Sequence, residues 1–130
     1  MEIKVRFPVD DEELSTLHAL AFESEVEVQP WASRLERHAL TWVGAFSNDL
    51  LVGFVQVCWD GGAHAFVLDT AVHPSYGRQG IGKELVRVAA AEAAAAGCEW
   101  LHVDYEPHLA DFYLKACGFS PTDAGLLKLR

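Results

Sequence analysis

Val72-His73-Pro74-Ser75-Tyr76-Gly77-Arg78-Gln79-Gly80-Ile81-Gly82-Lys83-Glu84 joins two kinds of structure. Upstream, Ala63 to Val72 is a run of small and β-branched residues that reads as a strand, and Pro74 stops it. Downstream, an alanine-rich pattern predicts a helix from Gly80 to Ala96, ended by Gly97. Strand, glycine turn and helix start together make an anion site. The first helical turn has unpaired backbone N–H groups and the positive end of the peptide dipole. Glycines let a phosphate reach those groups without a Cβ in the way. A lone glycine cluster would shape only a tight turn; the order and spacing of elements here favour phosphate binding.

Three glycine motifs compete for that site. Gly77, Gly82 and Lys83 satisfy the Gly-x-x-x-x-Gly-Lys of a nucleotide P-loop, but Glu84 stands where a Ser or Thr hydroxyl should hold magnesium. A dinucleotide fingerprint would begin at Gly80, with Asp104 as its acidic ribose partner. Leu85 replaces its third glycine, and the chain is too short for two mononucleotide halves. The third motif fits. Gly80 and Gly82 fall on the small-residue positions of Gln/Arg-x-x-Gly-x-Gly/Ala, preceded by Val72-His73-Pro74; Gly77 takes the Gln/Arg position, with the arginine at Arg78. Downstream, Pro107 to Phe119 carries Phe112-Tyr113 and closes at Gly118-Phe119, with Glu106-Pro107-His108 where an Asn is usual. The two segments resemble motifs A and B of the GNAT superfamily of N-acetyltransferases. The resemblance covers Thr41 to Arg130 well and the first forty residues by layout.

Size and composition agree. A chain of 130 residues is long enough for one core, so residues 1–130 read as a single domain. Hydrophobic residues make up 51%, and no apolar run reaches the length of a membrane span. Met1 to Phe7 alternates like a strand and lacks the apolar stretch of a signal peptide. Cys58, Cys98 and Cys117 form no Cys-x-x-Cys pair and leave one over, which favours a reducing compartment; a cytoplasmic protein is expected. The net charge of −9 argues against nucleic acid or an anionic membrane as partner and is compatible with a cationic acceptor. His, Asp and Cys nowhere fall at metal-ligand spacing, so no metal is expected. The oligomeric state stays open, a homodimer included.

Before the decisive stretch, Glu2 to Phe7 reads as a strand, and Asp10 or Asp11 caps a helix to Ala21 with Leu14, Leu17, Leu20 and Ala21 on one face. Pro30-Trp31 opens a second helix to about Ala39. Thr41–Phe46 and Leu50–Trp59 are strands joined by a hairpin turn at Ser47-Asn48-Asp49. After it come a strand at Trp100–Asp104, a helix at Pro107–Ala116 and a last short strand at Leu126–Leu129. This order matches what the resemblance implies: an α/β, three-layer acyl-CoA N-acyltransferase fold, with a mixed, mostly antiparallel sheet and helices on both faces. In such a fold the strands flanking the motif A helix run parallel and splay, and the gap receives pantetheine.

The resemblance also implies roles. Ala71 and Val72 would offer backbone partners to pantetheine, and Arg78, Gln79, Gly80, Ile81, Gly82 and Lys83 would cradle the diphosphate of acetyl-CoA, the cosubstrate. Tyr113 stands where the family often carries the acid that protonates the departing thiolate. The amide of Val72 or a neighbour would polarise the thioester carbonyl. An amine acceptor is mostly protonated at neutral pH and needs a base. Asp69, at a strand position where the family is often acidic, and His64, acting through water, are the candidates. An unpaired buried carboxylate is costly, so Asp69 is either functional or bonded structurally. Glu27 could attract a cationic amine, Trp31 and Trp59 could pack on it, and His108 lies in the adjoining segment. The acceptor is then a small-molecule or peptide amine. A non-catalytic acyl-CoA-binding regulatory module on the same scaffold is the rival reading.

Overall fold

Asn48 and Asp49 both adopt positive φ, 49° and 66°, the backbone a two-residue hairpin turn requires. They join β2 (Ala39–Ser47) to β3 (Leu50–Trp59), and the register pairs Ser47 with Leu50. The computed structural model describes residues 1–130. Around this hairpin the chain runs β1 (Glu2–Val5), α1 (Asp11–Ala21), α2 (Trp31–His38), β2, β3, β4 (His64–Val72), α3 (Ile81–Ala95) and β5 (Trp100–His102). The five strands lie in sequence order, all antiparallel except the parallel β4–β5 pair.

Each face of the sheet carries helices, because the strands are apolar on both sides. On one face α3 packs Ile81, Leu85, Ala89 and Ala93 onto Val43, Val55, Val57 and Val67. Gly53 permits that approach: a Cβ there would stand 2.9 Å from both Ile81 and Leu85. On the other face Leu14 and Leu17 of α1 and Trp31 and Leu35 of α2 close over Phe7, Phe54 and Ala71. Truncating a side chain such as Leu85 at this depth removes about 2–5 kcal/mol of stability. No helix is long and apolar enough to cross a membrane.

Two features of β4 position the site. Opposite Phe54–Gln56 the register slips, so that Asp69 and Thr70 face the single residue Val55. Asp69 takes the extra turn, at φ 59°. Pairing with β5 covers only His64–Phe66, and the rest of β4 has no strand on that side. The two parallel strands therefore part just below the bulge, as the family layout implies.

The C-terminal third departs from the expected elements. Instead of one helix over Pro107–Ala116 there is a 3-10 turn at Pro107–Leu109 and a π-helical turn at Asp111–Ala116. The latter is closed by Cys117 N–H donating to the Phe112 carbonyl, 2.9 Å. The strand expected at Leu126–Leu129 does not form: residues 118–130 hold no helix or strand, and Leu126, Leu127 and Leu129 are exposed. Pro121 and Gly125 interrupt the approach, and the three-residue β5 offers too short an edge to pair with.

Candidate active site

Gly80 sits at φ 77° before α3 with no side chain to cap the helix. The first intrahelical bond is Glu84 N–H to the Gly80 carbonyl, 3.1 Å. The amides of Ile81, Gly82 and Lys83 thus precede the ladder and face the loop, as the sequence pattern anticipates. They border a cavity of 380 Å³ lined also by Thr70, Val72, Tyr76, Arg78, Phe112 and Tyr113. Neither Arg78 nor Lys83 forms a salt bridge. Gln79 is exposed and lies outside the lining, and Ala71 is buried on the opposite face among the α1–α2 contacts.

The wall of this cleft is β4 beyond the bulge. His73 N–H donates to the Val52 carbonyl at 2.8 Å, so by strand alternation the peptide groups of Val72 point away from β3 and into the gap. Thr70 Oγ1 is buried and makes no hydrogen bond of good geometry. It nevertheless lies close enough to the Tyr113 hydroxyl to oppose part of that group's shift. Tyr113 is 6% exposed, stacked on Tyr105 at 5.4 Å and edge-on to Phe112 at 4.8 Å. Burial, with smaller contributions from Cys117 and Asp104, pushes its pKa above that of an ordinary phenol. The proton stays on the oxygen, and the same desolvation disfavours a bare thiolate beside it. These features fit coenzyme A: free amides and two unpaired cations for a diphosphate, an open strand edge for a pantetheine amide, and a neutral phenol at the inner end.

Across the sheet lies a second cavity of 520 Å³, lined by His18, Glu25, Glu27, Gln29, Trp31, Arg34 and Asp69 among others. Asp69 and Thr70 are consecutive, yet each lines a different cavity, because the bulge turns them apart. Asp69 Oδ1 is 2.9 Å from His18 Nε2, and its Oδ2 accepts from Gln56 Nε2 at 2.6 Å. Burial is the largest influence on this carboxyl and would raise its pKa. The bonds to His18 and Gln56, with the charges of His18 and Arg34, outweigh it and leave Asp69 more acidic than usual. Arg34 lies over the Trp31 ring at 5.0 Å and donates to Gln29 at 3.0 Å, without an acidic partner.

Of the expected acceptor-side residues, the structure brings Glu27, Trp31 and Asp69 together. Trp59 instead packs against the α3-side core, and His108, on the 3-10 turn, lines neither cavity. His64 stands at the far end of β4, its Nδ1 2.7 Å from His102 Nε2, about five residues or ~16 Å of strand from Asp69. The largest cavity, 640 Å³, lies there too, between Phe66, His102 and the C-terminal segment. It contains neither Asp69 nor Tyr113, so size does not mark the chemistry. Sequence reading missed His18, Gln56, Arg34 and Thr70. The available signal was His18 itself, a polar residue four positions after Leu14 on the apolar stripe of α1.

The Acetyltransferase (GNAT) family model matches residues 9–119. No curated protein matches the chain significantly by sequence. Among solved structures, it superposes on a GNAT-family acetyltransferase of Streptococcus pneumoniae with a TM-score of 0.76 and 25% identity, over 99% of this chain and 98% of that one. A protein of unknown function from meticillin-resistant Staphylococcus aureus gives 0.81 and 22%, over 99% of each chain. An aminoglycoside N-acetyltransferase solved in complex with CoA gives 0.77 and 17%, over 99% of this chain and 93% of that one.

Proposed function

Since the chain belongs to the acetyltransferase (GNAT) family, we propose that it transfers an acetyl group from acetyl-CoA to a primary amine by direct attack in a ternary complex. One observation carries this reading: two cavities of different chemistry meet at a single bulge, where Thr70 faces the cleft and Asp69 the polar cavity. Acetyl-CoA supplies an acyl group activated as a thioester. The chain's part is to hold it and to manage protons.

The amides at the start of α3, with Arg78 and Lys83, bind the diphosphate end. The unpaired edge of β4 at Val72 binds the pantetheine arm as an added strand would. The Val72 amide donates toward the carbonyl oxygen. Tyr113 donates its proton to the departing sulfur. On the other side Glu25 and Glu27 attract a cationic amine, and Trp31 provides an apolar wall. A small-molecule or peptide amine suits such a mixed cavity. The three free cysteines suit the cytoplasm.

Calorimetry with acetyl-CoA and with ATP–magnesium, followed by thiol release over an amine panel, tests the reading. Acetyl-CoA binding with thiol release on at least one amine is expected. Binding without release on any amine favours a non-catalytic acyl-CoA-binding module. ATP–magnesium binding without coenzyme A binding overturns the assignment.

A further inference from the structure

A chain of side-chain hydrogen bonds runs from β3 to α1 and reaches the polar cavity at Asp69 and His18. Cys58 Sγ donates to Gln56 Oε1 at 3.2 Å, Gln56 Nε2 donates to Asp69 Oδ2 at 2.6 Å, and Asp69 Oδ1 meets His18 Nε2 at 2.9 Å. Its polarity is fixed at one end. Burial and the nearby charge of Asp69 both push the Cys58 thiol up, so it stays a donor. That bond orients the Gln56 amide with its nitrogen toward Asp69. Asp69, ionised and accepting at one oxygen, can only accept at the other. In its neutral form His18 must therefore carry its single proton on Nε2, which leaves Nδ1 a lone-pair acceptor. Nδ1 makes no hydrogen bond within the protein. The imidazole is wedged between Phe22, 4.5 Å away, and Trp31, 5.2 Å away, and 29% of the side chain stays open.

We propose that His18 is the general base that deprotonates the acceptor amine and that Asp69 is its positioning residue. The inference rests on the acetyl-transfer reading and goes beyond it in naming the base. Asp69 is itself a poor base, because both its oxygens already accept protons and its acidity is raised. A neutral imidazole is the side chain whose ordinary titration range spans neutrality. The charged and titratable groups around it are Asp69 on β4, Arg34 on α2, Glu25 and Glu27 on the segment between α1 and α2, and Cys58 on β3 behind Gln56.

The protons balance as follows. His18 Nδ1 takes one proton from the ammonium, and Asp69 offsets the imidazolium charge. The freed nitrogen pair forms the C–N bond as the C–S bond breaks, its electron pair leaving with sulfur. Tyr113 gives sulfur a proton and is restored by the second proton lost from nitrogen. His18 then releases its proton to solvent at the cavity mouth.

Nitrogen NMR of the free protein reads the tautomer without turnover. A protonated Nε2 and bare Nδ1 on neutral His18 are expected, with that preference lost in Asp69→Asn; a proton on Nδ1 overturns the proposal. In steady state, His18→Gln should lower kcat at least about tenfold and flatten the acidic limb of the kcat/KM profile. Acetyl-CoA affinity by calorimetry should be unchanged, which shows that the variant folds. Asp69→Asn should keep the limb and lose less. Wild-type kcat and limb in His18→Gln would sink the base assignment while leaving acetyl transfer intact. A limb lost only in Asp69→Asn would make the carboxylate the base. A wild-type protein that binds no acetyl-CoA removes the reading beneath and this inference with it.

Discussion

The two cavities on either side of the β4 bulge are built by opposite means. The cleft beside α3 is made largely of backbone: three leading amides, the free edge of Val72 and a glycine at positive φ. Its side chains are mostly apolar, with Arg78 and Lys83 toward its outer end and the buried Tyr113 at its inner end. The cavity across the sheet is made of side chains from α1, the following segment, α2 and β4. On the proposed reading, the backbone site takes a shape common to many molecules, a diphosphate and an amide arm, and the side-chain site takes one acceptor. Such a division would let one scaffold keep its donor and change its acceptor.

The sharpest way to break the comparison is at the inner end of the cleft. Tyr113→Phe removes one oxygen from a ring fixed by Tyr105, Phe112 and Phe119. Turnover should fall at least tenfold, about a hundredfold if the phenol supplies a full general-acid contribution. Acetyl-CoA affinity by calorimetry should hold. Wild-type turnover would remove the acid from the cleft.

The next effect is at its outer end. Arg78→Ala and Lys83→Ala each remove a cation without an acidic partner, so nothing inside the protein is left unpaired. Each should weaken acetyl-CoA binding by about 1.5–3 kcal/mol at most, the range of a hydrogen bond to a charged group. The loss should shrink as salt rises, because the contact is exposed. Losses that ignore salt would mean that the amides alone carry the diphosphate.

The same division explains what the sequence made legible. The backbone-built cleft follows from contiguous residues, since Gly80, Gly82 and Lys83 lie on one helix start and Val72 ends the strand before it. Tyr113 was reachable because Phe112-Tyr113 and Gly118-Phe119 keep a recognisable spacing. The polar cavity joins His18 to Asp69 across 51 positions, and no local pattern records that pairing. Asp69 was singled out, but the bulge that turns it toward α1 depends on a register slip against β3, a tertiary event. His64, the candidate for a relay through water, lies at the opposite end of β4. The missing last strand has a similar cause: Leu126–Leu129 has strand composition, and only the sheet decides whether an edge is there to meet it.

On the acceptor side the comparison sharpens through pH. The folded pKa of Asp69 is depressed. Its charge thus contributes stability that is fully present above the unfolded value of about 3.9 and is lost as pH falls through the folded value. Asp69→Asn should lower stability at neutral pH by about 1–3 kcal/mol, as for a hydrogen bond to a charged group. The gap between the melting temperatures of wild type and variant should narrow as pH drops through and below about 4. A gap that stays constant with pH would assign the loss to packing rather than to charge.

The smallest effects compare the two helix starts themselves. α1 is closed by its own sequence: Asp10 Oδ1 accepts from Glu13 N–H at 3.0 Å. α3 has Gly80 in that place and no side-chain acceptor. Asp10→Ala should cost about 1 kcal/mol of stability, the usual value of a lost cap, and leave acetyl-CoA binding alone. Gly80→Ala should cost about 1–2 kcal/mol through its left-handed backbone. Its Cβ meets no protein atom within 4 Å, so nothing in the fold opposes it beyond that strain. Gly80 itself lines the cleft at the start of α3. Gly80→Ala should therefore weaken acetyl-CoA binding as well, while Asp10→Ala should not. Equal affinities in the two variants would move the diphosphate away from the start of α3.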